Sequence, residues 1–359
     1  MVGHLAGYSR RSPSALPRLP RRQSRADWID IAKGISITLV VFWHVAGALV
    51  PLNEALIFLR MPLFFFLAGL FLRGVFLDST GERFVFKFAN FIYLFVLWSA
   101  LVFMTTTLPQ AIMNGEPVSF TPLLRIFVEP PATLWFIYAL LIAVTLLMVL
   151  RRIPLGLILA VSIVIYSVLS ADGNWRNLPF LERVMLLFPF IVMGVFSLEF
   201  IEGTLLRAMR FWPLWLGGFL VASAGVYYSS LAGIGPVTFM LSVWGISSVL
   251  MMSGWLAERQ RIAGRSWAFV GRHSLQVYVL HRIVQFYLLA VLARLGLQPG
   301  PEAGLWQTGF YLIAAACVVA LSVLVGWILA RTPVFAPLFE VPWVKTLQAR
   351  RAASLASSR

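Results

Sequence analysis

Apolar runs of about 18 to 25 residues recur along nearly the whole chain, separated by short polar or basic connectors. An α-helix needs a run of that length to cross a bilayer core about 30 Å thick. The pattern predicts ten spans, at 28–50, 54–76, 85–108, 134–150, 153–170, 181–200, 211–229, 236–256, 267–294 and 305–330. No connector is long enough to fold by itself. The longest, 109–133, holds "TPLLRIFVEPPATLWF", whose apolar stretch between prolines reads either as an ordinary connector or as a short helix dipping over a cavity. The expected class is all-α: a polytopic helical membrane protein of about ten transmembrane helices with both termini cytoplasmic. One transmembrane domain, 27–330, follows a disordered Arg-, Ser- and Pro-rich arm, 1–26, and precedes a basic cytoplasmic tail, 331–359.

Composition strengthens this picture. The 359 residues are 60% hydrophobic and 12% charged, with mean hydropathy +0.86, too little polar residue to cover a soluble core of this size. The single cysteine, Cys317, excludes an internal disulfide framework and a thiolate metal cluster. A net charge of +15 suggests nucleic acid until its distribution is examined. With a cytoplasmic amino terminus, 22 of the 29 Lys and Arg face the cytoplasm: six before the first span, then three, two, two, four and five. The opposite face holds Arg125, Arg176, Arg183 and Arg294. This is the positive-inside asymmetry. The charge therefore reports topology and contact with membrane lipids rather than a nucleic-acid partner. The basic arm also has the composition of an organellar transit peptide.

Ionisable residues within the spans are few: Asp30, Lys33, His44, Arg60, His281 and Arg282. Hydrocarbon solvates such groups poorly, which makes each a functional candidate. In "KGISITLVVFWH", Lys33 and His44 lie about three turns apart, on one face and about 16 Å apart along the axis. Asp30, one turn before Lys33, pairs with it at i,i+3. From Trp28 at the cytoplasmic edge, His44 lies about 24 Å across. "VPLNE" reverses the chain near Leu52, midway between His44 and Arg60, so antiparallel neighbours bring both to one depth. A guanidinium keeps its charge there and needs an anion, a carbonyl or a wet cavity. Counted from Trp267, His281 reaches about 21 Å, which predicts convergence of polar groups from spans one, two and nine.

Plainer readings stand beside these. Lys33 snorkels to headgroups, His44 donates to a carbonyl, Arg60 lies a turn nearer the outer surface, and His281–Arg282 caps a kink. Tyr278 packs. Trp28, Trp135 and Trp343, near span ends, read first as headgroup anchors, and His4 and His273 read as solvated.

Four segments in order, "WIDIAKGISITLVVFWHV", "RMPLFFFLAGLFL", "LWFIYALL" and "GRHSLQVYVLHRIV", resemble the acyltransferase-3 superfamily, nearest its fucose-4-O-acetylase-like branch. The resemblance covers about residues 27–330. It implies a multi-pass protein of the bacterial inner membrane that moves an acyl group, commonly acetyl from acetyl-CoA, onto a hydroxyl of a carbohydrate or glycolipid acceptor. Acetyl-CoA is then a substrate, with no permanently bound cofactor and no metal. The family's first-helix signature, a basic residue, ten others and a histidine, falls on Lys33 and His44. Lys33 stands where many relatives have arginine, Arg60 where relatives often have histidine, and His273 where they usually have asparagine. Arg73, Arg83 and Lys87 do not reproduce the relatives' paired arginines after the second helix. We assign catalysis to His44, Lys33 and Arg60, and substrate contact to Asp30, Trp135, Tyr278 and His281.

On this reading CoA phosphates stay near Lys33 and the basic loops while the thioester approaches His44, which serves as general base or as a covalent acyl carrier. A transporter or flippase for an anionic or lipid-linked solute is the alternative, using the same polar stripe as a path. The chain shows no repeats or broken half-helices of the transporter kind. A purely structural role would leave the buried charges without an account. The topology is directly testable: a reporter active only outside the cytoplasm, fused to either terminus, gives no signal. A strong signal from one end would mean a miscounted span, among 134–170 or 267–330.

Overall fold

The computed structural model describes residues 23–47, 53, 56–77, 81–131, 134–171, 178–259, 262–298 and 304–341. The arm up to residue 22 with His4, the turn residue Leu52, Arg176, and the tail from residue 342 with Trp343 lie outside the described residues. Every regular element among those described is helical. In chain order the main helices are α1 (Gln23–Ala46), α2 (Ile57–Phe76), α3 (Glu82–Val102), α4 (Trp135–Val149), α5 (Leu155–Leu169), α6 (Phe180–Phe196), α7 (Trp212–Tyr227), α8 (Gly235–Arg259), α9 (Ile262–Arg272), α10 (Ser274–Arg294) and α11 (Gly304–Arg331). Backbone groups have no water to bond in hydrocarbon, so a spanning chain must satisfy them within the helix. This is a polytopic helical membrane protein. Large apolar side chains stay exposed on its perimeter, among them Val161, Val164 and Val168 on α5, Leu214 and Val221 on α7, and Leu324 and Ile328 on α11. Lipid tails cover such faces at no cost.

Among the described residues, seven helices are long and apolar enough to cross a membrane. The expected fifth, sixth and seventh spans are helices of 15, 17 and 16 residues, short of the usual 20 or so. Ten crossings with both ends cytoplasmic therefore remain an expectation from the sequence.

α1 is the hub, packing against α2, α8, α9, α10 and α11. The approach to α9 is close because both helices present glycine: a Cβ on Gly34 would collide with the Trp267 carbonyl, and one on Gly271 with the Asp30 carbonyl. A second glycine crossing joins α2 to α6, where Gly69 faces Ile191 and Gly194 faces Phe66. Small residues let backbones meet where dispersion, not a hydrophobic driving force, holds helices together.

Two expectations change, and one contact was not foreseen. The ninth span is not continuous over 267–294. The chain breaks at His273, α9 lies against the amino-terminal half of α1, and the crossing helix begins at Ser274. The apolar residues of α9 carried the hydrophobic run across this break. Trp28 is only 2% exposed, so it packs inside the protein instead of anchoring at headgroups. Finally, the first residues after α11 fold back onto α3. Tyr93 Oη donates to Pro337 O (2.9 Å), Trp98 Nε1 to Leu338 O (2.7 Å), and the Val341 amide to Asn90 Oδ1 (3.3 Å).

The glycine crossings yield a stability prediction. Gly194→Val will destabilise the α2–α6 pair by about 1–3 kcal/mol, the usual cost of overpacking. Gly217→Val, where an added Cβ meets nothing within 4 Å, will not. Thermal unfolding of both variants in detergent tests the difference.

Candidate active site

The site is assembled around the last turn of α1. That helix ends at Ala46, two residues after His44, leaving its final carbonyls without helical partners. Gln285 on α10 takes one of them: its Nε2 donates to His44 O at 2.5 Å, tying the end of α1 to α10. The His44 and His281 rings lie 5.1 Å apart between centroids, tilted by 39°. His281 is fully buried, its Nδ1 2.6 Å from Tyr278 O and 3.2 Å from Val277 O. Carbonyls only accept, so Nδ1 carries the hydrogen and Nε2 presents a lone pair. That Nε2 is buried and has no hydrogen-bond partner among the described residues.

Arg60, one turn into α2 and 4% exposed, finds the partners its charge requires. Its Nη1 donates to Asn53 Oδ1 (2.8 Å) and its Nη2 to Asn53 O (3.1 Å). The Asn53 amide in turn donates to Gly47 O at 2.6 Å, so one side chain links the end of α1 to the guanidinium. The Trp43 ring lies beneath, 4.4 Å from the Arg60 Cζ, in cation–π contact.

His44 and Arg60 line the same cavity of about 460 Å³, together with Trp135, Tyr278, Arg183 and the Trp43 ring. Trp135 opens α4, flanked by Phe65 (centroids 5.8 Å apart) and by the Arg183 guanidinium at 5.6 Å. His44 also lines a second, polar cavity of about 280 Å³ beneath the connector between α3 and α4. That connector carries the short helix Thr121–Leu124, and several of its residues form the cavity wall.

Lys33 lies elsewhere. It pairs with Asp30 at 2.6 Å and lines a third cavity of about 270 Å³, with Lys87, Asn90 and Ser274. The first and third cavities share only the walls made by Phe136 and Tyr278. Phe64, Phe136 and Tyr278 cluster there, with ring centroids 4.1 Å, 5.8 Å and 6.0 Å apart, as an aromatic partition. The Tyr278 hydroxyl is buried and has no hydrogen-bond partner among the described residues.

The structure thus gathers His44, Arg60, Trp135 and Tyr278 around one cavity. It sets His281 behind His44 and leaves Lys33 and Asp30 on the far side of an aromatic wall. Asp30 meets Lys33 and borders none of the three cavities. Sequence reasoning missed Asn53, Trp43, Arg183 and Gln285. Asn53 was in view, within the "VPLNE" turn beside the guanidinium it holds.

Comparison with known proteins agrees with the geometry. Residues 26–331 match the acyltransferase 3 family, described as an acyltransferase domain. No curated protein and no solved structure matches the chain. With that match running through nearly all the described helices and across the whole site, the chain belongs to the acyltransferase-3 family of integral-membrane acyltransferases.

Proposed function

We propose that the protein moves an acetyl group from acetyl-CoA onto a hydroxyl of a carbohydrate or glycolipid acceptor at the bacterial inner membrane, with His44 as general base. The observation that carries this reading is the place of His44, on the wall common to two cavities, one of which also contains the buried Arg60. A base that bridges two substrates must touch both spaces. His44 takes the proton of the acceptor hydroxyl as its oxygen attacks the thioester carbon. The negative charge that develops on the carbonyl oxygen is met by Arg60 in a low-dielectric pocket. Collapse of the tetrahedral species breaks the carbon–sulfur bond, releasing CoA thiolate and the acetyl ester.

Lys33, paired with Asp30, and Lys87 both line the third cavity, and their ammonium groups suit it to the phosphate-bearing end of the donor. For the thioester to reach His44 from there, the aromatic partition has to part or be skirted. His281 is a positioning residue on this reading. Its hydrogen-bonded Nδ1 leaves a fixed lone pair on the ring that neighbours His44.

Three variants test the assignment. Lys33→Arg will keep much of the activity, and Lys33→Ala will raise the donor KM by roughly tenfold, the value of a charge-assisted contact. Native donor KM and turnover in Lys33→Ala would make the lysine a headgroup anchor. His44→Ala will insert normally and lose about 10² to 10⁴ in turnover, the usual contribution of a general base. His44→Gln, which hydrogen-bonds without a titratable nitrogen, will be nearly as inactive, and His281→Ala will lose less. Transfer of labelled acetyl groups at matched membrane levels decides between them. Near-native turnover in His44→Gln with a dead His281→Ala would mean that the base is the other histidine.

A further inference from the structure

The two cavities that meet at His44 differ in chemistry. The larger is mostly apolar around Arg60 and Trp135, as suits a thioester arm. The smaller mixes the Ser99 and Thr106 hydroxyls, the Gln110 amide, the Glu129 carboxylate and the Arg282 guanidinium with apolar contact from Ile126. Donors, acceptors and a greasy face in one small space match a sugar ring, whose hydroxyls both give and take hydrogen bonds while its C–H face does neither. About 280 Å³ holds one such ring and leaves no room for a nucleotide.

Two local features point the same way. Ser99 is 1% exposed, borders this cavity, and its hydroxyl has no hydrogen-bond partner among the described residues. A buried hydroxyl in that state is costly unless a ligand completes it. Beside it, α3 passes through a π-helical turn, Phe103–Thr107, before continuing to Met113. Such turns are frequent at functional sites. Here the extra residue brings Phe103, Thr106 and Thr107 to the cavity wall, with the Thr106 hydroxyl bonded back to Val102 O at 2.7 Å. Glu129, which lines the cavity, is paired at i,i+4 with Arg125 at 2.8 Å on the exposed connector.

We infer that this second cavity is the acceptor subsite, that its ligand is a pyranoside offering one hydroxyl to His44, and that Gln110 and Glu129 determine which pyranoside is accepted. The inference rests on the acyl-transfer reading above. It assigns the connector between α3 and α4 to acceptor recognition.

The test uses the full chain in sided membrane vesicles. In a Cys317→Ser background, which removes the sole native thiol, Gln110→Cys is treated with a membrane-impermeant maleimide. Labelling is measured with a panel of methyl hexopyranosides and methyl deoxyhexopyranosides, and separately with acetyl-CoA. The expected result is labelling from the outer face, blocked by whichever glycoside the wild-type protein acetylates and not by acetyl-CoA. In parallel, Glu129→Gln will raise the KM for that glycoside about tenfold, as loss of one charge-assisted contact would, and will affect the donor KM less. Labelling only from the cytoplasmic face, protection by acetyl-CoA alone, no protection by an acetylated glycoside, or a native acceptor KM in Glu129→Gln would each overturn the inference. Wild-type protein that acetylates none of the glycosides would instead overturn the acyl-transfer reading, and the subsite with it.

Discussion

Arg60 keeps its charge at any pH a cell meets, and hydrocarbon offers that charge nothing. Much of the site follows from how the chain meets this demand. Asn53 supplies an amide oxygen and a backbone carbonyl, Trp43 supplies a ring face, and a cavity supplies room for polar ligand atoms. Because Asn53 is itself bonded to Gly47 at the end of α1, the guanidinium and the histidine-bearing turn are held by the same short connection. Removing one partner of such a buried charge costs far more than the contact itself is worth. The same network therefore ties the end of α1 to α2 beside the cavity that His44 and Arg60 line.

α1 organises what surrounds it. Its amino-terminal half accepts α9 through the Gly34 and Gly271 contacts, which places α10 so that His281 and Gln285 reach the other end of α1. One helix thus carries Lys33 to one cavity and His44 to the meeting point of two more. The Phe64–Phe136–Tyr278 cluster keeps the Lys33 cavity apart from the one that His44 and Arg60 line. On the proposed reading such a partition limits water at His44, which would compete with the acceptor hydroxyl.

Much of this was legible in the sequence, for identifiable reasons. Counting residues on either side of one turn brought His44 and Arg60 to a common depth, because helical rise is nearly constant. The Asp30–Lys33 pair followed from i,i+3 spacing and is present at 2.6 Å. The break at His273 was not legible, since the apolar residues of α9 continue the run into α10. Counting from Trp267 therefore started His281 in the wrong helix, although the ring still arrives beside His44. Nor does a sequence distinguish a tryptophan facing lipid from one facing protein, which is why Trp28 was misplaced. Asn53 stood in the quoted turn, but which groups it bonds depends on how that turn folds, and no helical periodicity governs that. The i,i+4 spacing of Arg125 and Glu129 was open to view, whereas the place of Glu129 on a cavity wall depends on the fold of the connector.

The most direct measurement is an experimental map of the protein in a lipid nanodisc with an acetyl-CoA analogue whose thioester sulfur is replaced by methylene. The account predicts density from the Lys33 cavity past the Tyr278 partition. The ketone oxygen should lie about 3 Å from the Arg60 guanidinium, at hydrogen-bond distance, with the carbonyl carbon facing His44. An acyl group that stays on the cytoplasmic side of Phe136 and Tyr278, or that lies in the polar cavity beside Glu129, would contradict it.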